Sequence, residues 1–87
     1  MDIYKDSAPY VGEYDLVEYV VLGFLTHNDS YDKIIRPGDG HLRFDGSDIY
    51  FIDRDGKERQ SHTVNHAIQV WLEEGILRKR EPKEEQT

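Results

Sequence analysis

Apolar positions recur along this chain with two different spacings, and the spacing sets which elements are expected. Between Glu13 and Thr26, Leu16, Tyr19, Val20, Gly23 and Phe24 fall at i, i+3, i+4, i+7 and i+8, the stripe of an amphipathic helix. Val17, Val21, Leu22 and Leu25 carry apolar character around the rest of that wheel, and the three valines favour extended structure. The spacing predicts a helix over 13–26, with a strand as the rival reading. Asn28, Asp29, Ser30, Pro37, Gly38 and Gly40 then make 27–40 read as loop, with Ile34 and Ile35 anchoring a short turn or strand.

The period changes to two in the middle of the chain. Leu42 and Phe44 alternate with His41, Arg43 and Asp45, and Ile49-Tyr50-Phe51-Ile52 reads as a strand apolar on both faces. Asp45-Gly46-Ser47-Asp48 and Asp53-Arg54-Asp55-Gly56 are turns, since Asp-Gly tolerates the positive φ that tight hairpins need. Lys57 to Gln60 completes the pattern as a short, polar edge strand. From Ser61 to Glu74 the helical period returns: Val64, Ala67, Ile68, Trp71 and Leu72 share a face, Ser61 is placed as N-cap, and Gly75 follows the last turn. Trp71 is central in that stripe and is expected to anchor the core. Ile76 and Leu77 lead into a short extended segment at Arg78-Lys79-Arg80.

The expected fold is therefore α+β: a three-stranded antiparallel meander over 41–60, a C-terminal amphipathic helix packed on it, and an N-terminal helix or strand. Residues 1–12, with Pro9, Gly12, Tyr4 and Tyr10, read as an irregular arm whose tyrosines pack back onto the domain. A single domain is expected over 13–79, and 80–87, without an apolar residue, as a solvated tail.

Composition narrows the functional classes. Eighty-seven residues fit one small domain, and with no cysteine its stability comes from packing or from a partner. Absence of cysteine also removes disulfides, thiol catalysis and cysteine-based metal sites, and is compatible with a reducing cytoplasm. The opening residues show neither a basic region nor an apolar core of a secretory leader, and the longest apolar run, Val20 to Leu25, is far below the roughly 20 residues that span a bilayer. A net charge of −7 argues against sequence-nonspecific binding to nucleic acid or an anionic membrane.

Candidate chemistry is sparse. His62 and His66 stand four apart on the expected helix, a spacing with which zinc sites begin, and His27 or His41 could complete one. Thr63, however, occupies the place where the zinc-peptidase motif needs its glutamate, so a solvated polar helix face is the expectation and no metal is assigned. Asp53, Asp55, Gly56 and Glu58 fail as a calcium loop, because Phe51 falls where the first acidic ligand belongs. None of the serines lies in a Gly-x-Ser-x-Gly context, and Gly38 and Gly40 lack the lysine and the spacing of a phosphate loop. Neither catalytic residues nor a cofactor are assigned.

Tyrosine and aspartate carry what functional signal there is. Tyr4, Tyr10, Tyr14, Tyr31 and Tyr50 outnumber what a small core holds, and tyrosine is enriched at protein interfaces. Five aspartates, Asp39, Asp45, Asp48, Asp53 and Asp55, lie in a stretch with only two bases, Arg43 and Arg54. These five with Tyr31 and Tyr50 are the candidate partner-binding residues. They point to a small, non-enzymatic interaction protein that regulates or inhibits another protein, with a basic nucleic-acid-binding protein as the suggested target. The alternative is a winged-helix nucleic-acid-binding regulator, with Ser61 to Glu74 as recognition helix and Arg78-Lys79-Arg80 on the phosphates. It is weakened by a helix face of His62, Asn65, Gln69 and Glu73 that offers no cation. A homodimer through 14–25 is expected if that segment is a helix with more apolar surface than one small sheet covers.

Overall fold

The computed structural model describes residues 8–80. Its elements run in the order β1 (Gly12–Leu16), β2 (Val20–Leu25), β3 (Ser30–Ile35), β4 (Gly40–Phe44), β5 (Ile49–Asp53), β6 (Glu58–Ser61), α1 (Ala67–Glu73) and β7 (Leu77–Lys79), after one 3-10 turn at Ala8–Tyr10. The fold is thus mostly β, which corrects the α+β expectation. Tyr4 of the expected arm and residues 81–87 of the expected tail lie outside the described residues. Tyr10 does pack against the core, and its carbonyl accepts the Tyr14 hydroxyl at 2.5 Å.

The helix expected over 13–26 is not formed. Residues 13–26 instead form β1 and β2, joined by a turn at 17–19. In β2, Val20, Leu22 and Phe24 are buried while Val21 and Leu25 are exposed, the alternation of a strand with one wet face. Tyr19, central to the helical stripe, is 60 % exposed. The decision comes from pairing: β2 and β3 are in register over six residues from Val20↔Ile35 to Leu25↔Ser30. That hairpin also turns the expected 27–40 loop into a strand at Ser30–Ile35.

The larger sheet has the order β6-β5-β4-β1-β7, antiparallel throughout. Strands over 41–60 pair as β4-β5-β6, and the chain then crosses through α1 to place β7 on the far side of β1. Tyr14, Leu16, Leu42, Phe44, Ile49 and Phe51 of this sheet join Val20, Leu22, Phe24 and Ile35 of the hairpin in one buried cluster. Ile68 of α1 and Leu77 of β7 complete it. Two layers therefore share one core, the arrangement that lets a small sheet bury its apolar face.

The helix is shorter than its periodicity suggests, because its expected N-cap is employed elsewhere. Ser61 is 1 % exposed and ends β6; its hydroxyl oxygen lies 2.8 Å from the Gly23 carbonyl oxygen and 2.8 Å from Thr63 Oγ1. A serine has one hydroxyl proton. Sending it to the Gly23 carbonyl lets Thr63 donate to Ser61, while Thr63 Oγ1 accepts the Gly23 N–H at 2.9 Å. The His62 N–H donates to the same carbonyl at 2.9 Å. This closed ring fastens the hairpin to the end of β6, and α1 starts only at Ala67, with His66 as an N-cap that makes no side-chain cap. Ile68 is its buried residue, and Trp71 is only partly buried at the edge of the core, which corrects the expected anchor. The helix ends as its sequence suggests: Gly75 takes φ +77, its N–H reaches the Leu72 carbonyl, and the Ile76 N–H reaches that of Trp71.

Candidate partner-binding groove

Pairing in the two hairpins dictates which side chains meet between the layers. Phe24 opposes Tyr31 and Leu22 opposes Lys33, so Tyr31 and Lys33 share the inward side of β3. The Phe24 and Tyr31 rings lie 5.7 Å apart, tilted by 32°. On the other layer Phe51 opposes Arg59. The Arg59 guanidinium reaches across to within 4.9 Å of the Phe24 ring centre and 5.3 Å of the Tyr31 ring centre, so one cation bridges hairpin and sheet.

A groove of about 720 Å³ opens here. One wall is Phe24, Tyr31 and Lys33; the other is Phe51 with the β5–β6 turn from Asp53 through Arg54, Asp55 and Lys57 to Glu58, and Asp39 also lines it. Phe24 is nearly buried as part of the core, whereas Tyr31 keeps 37 % of its surface exposed.

Four of the seven candidate residues, Tyr31, Asp39, Asp53 and Asp55, come together at this groove. Asp45, Asp48 and Tyr50 do not. The β4–β5 ladder runs from Gly40↔Asp53 at one end to Phe44↔Ile49 at the other, so the Asp45–Asp48 turn lies at the opposite end of these strands. The carboxylates therefore do not form one acidic end.

Three of the five aspartates have a local duty. Asp39 accepts the Arg36 N–H at 2.9 Å, Asp53 accepts the Asp55 and Lys57 N–H groups at 2.9 and 3.0 Å, and Asp45 accepts those of Ser47 and Asp48 at 2.8 Å each. Those at Asp53 and Asp45 are Asx-type turns, in which a carboxylate replaces a missing backbone acceptor, whereas Asp39 reaches back three residues. At Asp45 the N–H groups of Asp48 and then Ser47 stabilise the ionised form and lower its pKa from the usual 3.8. Tyr50 sits under the Arg43 guanidinium, 4.3 Å from its ring centre, and Arg43 is in turn bound by Glu58.

Lys33, Lys57 and Arg59 were not marked by sequence pattern. The signal that finds them is register: once 30–35 is a strand, Tyr31 and Lys33 share a face, and hairpin pairing puts Arg59 opposite Phe51. On another part of the surface Glu13 meets His41 at 3.0 Å and Arg80 at 3.6 Å, and Arg80 meets Asp15 at 3.3 Å.

The histidine pair does not share a helix, because His62 precedes α1 and His66 is its N-cap. Gly23 explains where His62 lies: a Cβ there would fall 2.7 Å from His62 Nε2, so the ring occupies space that only glycine leaves open. No group of three metal-ligating side chains comes together among the described residues. Nor is any helix there long and apolar enough to cross a membrane. No family model, curated protein or solved structure shows a significant match to the chain.

Proposed function

We propose that this chain is a small non-enzymatic interaction protein that regulates or inhibits another protein, and that it meets its partner at the groove between hairpin β2–β3 and the β5–β6 turn. The observation that carries the reading is the half-exposed Tyr31 held beside Arg59. Tyrosine and arginine are the residue types that dominate binding hot spots, since each adds large contact area and directional hydrogen bonding. A ring already fixed against Phe24 loses little freedom when a partner covers it. The net charge of −7 supports a partner whose surface is basic overall, because that field speeds encounter with positive targets and disfavours nucleic acid itself. Asp55 at the groove, and Asp45 and Asp48 beyond it, contribute to that field.

The test is affinity capture with the immobilised full chain, identification by mass spectrometry, and comparison with Tyr31→Ala. A captured protein that binds the purified chain in equal amounts, and loses about tenfold or more in affinity with Tyr31→Ala, is the expected result. Unchanged affinity in a variant with an unchanged melting temperature rejects the groove as the contact surface.

A further inference from the structure

Cations without a carboxylate partner gather at the groove. Arg43 and Arg80 are held by carboxylates, Arg43 by Glu58 and Arg80 by Glu13 and Asp15. Of the seven lysines and arginines without a carboxylate partner among the described residues, Arg36, Arg78 and Lys79 lie elsewhere, and four, Lys33, Arg54, Lys57 and Arg59, line the groove. The acids beside them are engaged: Asp39 and Asp53 accept backbone N–H groups, and Glu58 is neutralised by Arg43. Asp55 alone has no such contact. With Glu58 cancelled by Arg43, the lining carries a single positive charge in excess on a chain of net −7.

We propose that the groove receives an acidic side chain of the partner protein. This rests on the protein-binding reading above and adds the charge of the group that enters. Arg59 is the central contact. Its ring contacts restrain the head group while leaving it without a carboxylate, and a guanidinium so restrained loses little freedom on accepting a carboxylate in the two-pronged geometry. Lys33 and Lys57, from the two walls, bring further cationic donors to the same space. The exposed Tyr31 ring offers apolar contact for the stem of that side chain.

A peptide fits this site better than a nucleic acid does. Fields at physiological salt are screened over about 8 Å, so one carboxylate inside the groove feels mainly the groove's own charges and gains most beside Arg59. A strand of phosphates would extend past it along a surface that is negative overall. The same reasoning reconciles the site with a basic partner: the long-range field steers the partner's basic surroundings, and the local cations take its one inserted acid.

The probes are three acetylated, amidated hexapeptides alternating valine with glutamate, with glutamine or with lysine, and a short oligothymidylate. Each is titrated into the ¹⁵N-labelled full chain. The glutamate peptide is expected to shift the amides of Tyr31, Lys33, Lys57 and Arg59, and to bind about tenfold or more tightly than the glutamine peptide, as a charge-assisted hydrogen bond implies. Arg59→Gln should remove most of that preference, and Lys33→Gln with Lys57→Gln should reduce it without changing the melting temperature, since both lysine side chains are exposed. Equal binding of glutamate and glutamine peptides, tighter binding of the lysine peptide or of the oligothymidylate, or shifts confined to other surfaces overturns the proposal. A captured partner that depends on Tyr31 but is indifferent to Arg59, Lys33 and Lys57 would defeat this inference alone and leave the protein-binding reading standing.

Discussion

Ser61→Ala is a sharp perturbation, because it deletes one buried atom and keeps β-strand backbone. Three contacts go with it: the bond to the Gly23 carbonyl, the bond from the Thr63 hydroxyl, and the Thr63 N–H that Ser61 Oγ accepts at 3.1 Å. The Gly23 carbonyl retains the His62 N–H, so it is not orphaned. The two Thr63 donors lose their acceptor, but Thr63 is only half-buried and water can reach it. A net hydrogen bond is worth about 1 kcal/mol and a partly stranded donor adds a similar amount, so the expected loss is about 1–2 kcal/mol. For a domain of this size that lowers Tm by roughly 4–16 °C. Thermal melts followed by circular dichroism measure it, and amide exchange at Gly23 localises it, because its N–H is held by Thr63 Oγ1. The ring makes a stricter demand. If Ser61 and Thr63 act as one closed unit, Ser61→Ala with Thr63→Val costs little more than the worse single change, whereas independent bonds would add. A Ser61→Ala protein that melts within about 2 °C of the parent, with Gly23 exchange unchanged, would refute the latch.

Two further outcomes follow from burial and from titration. Ile68→Ala should cost about 2–5 kcal/mol, and Trp71→Ala, at a half-buried edge position, should cost less despite its larger side chain; urea melts that rank them in reverse would show that α1 is rotated. The Asp45 pKa is lowered in the fold, so its contribution to stability is complete above the unfolded value and is lost as pH falls through that value toward the folded one. Tm should therefore decline as pH drops below about 4, and Asp45→Asn, which keeps an acceptor but no titration, should remove part of that slope. An NMR titration placing Asp45 at or above 3.8 would contradict the hydrogen-bonding account.

The hairpin turns could be read from Asp-Gly pairs because glycine there meets a backbone requirement, and Gly46 and Gly56 indeed take φ +99 and +88. Residues 13–26 could not be settled in the same way. Val20 and Phe24 are four apart, a spacing that satisfies a helical stripe and one side of a strand equally. The deciding element was β3, and its sequence conceals it: five of its six residues are exposed, and its inward row is Tyr31, Lys33 and Ile35, with a charge in the middle. Lys33 is tolerated there because the layers part to form the groove. Ser61 illustrates another ambiguity, since a serine before a helical stripe suits a cap, yet its hydroxyl completes a ring with a glycine thirty-eight positions away. The groove combines β2, β3, the β3–β4 turn, β5, the β5–β6 turn and β6, so no local window of sequence contains its pattern.

These features bear on how stability and binding are linked. Hairpin β2–β3 belongs to no ladder of the larger sheet and is held by Gly23, by the Arg59 stack and by its share of the core. Elements attached this way open at a free energy below that of global unfolding. Since Phe24 is both core and groove wall, opening the hairpin would dismantle the site. Apparent affinity falls only as the closed fraction falls, so loosening the latch by about 1–2 kcal/mol leaves affinity nearly unchanged while the closed form still dominates. Groove variants behave in the opposite way: exchanging exposed Lys33 or Lys57 touches recognition and leaves the fold intact. A latch variant that weakened binding in proportion to its stability loss would mean that the free chain already samples the open hairpin extensively, and that a partner closes it.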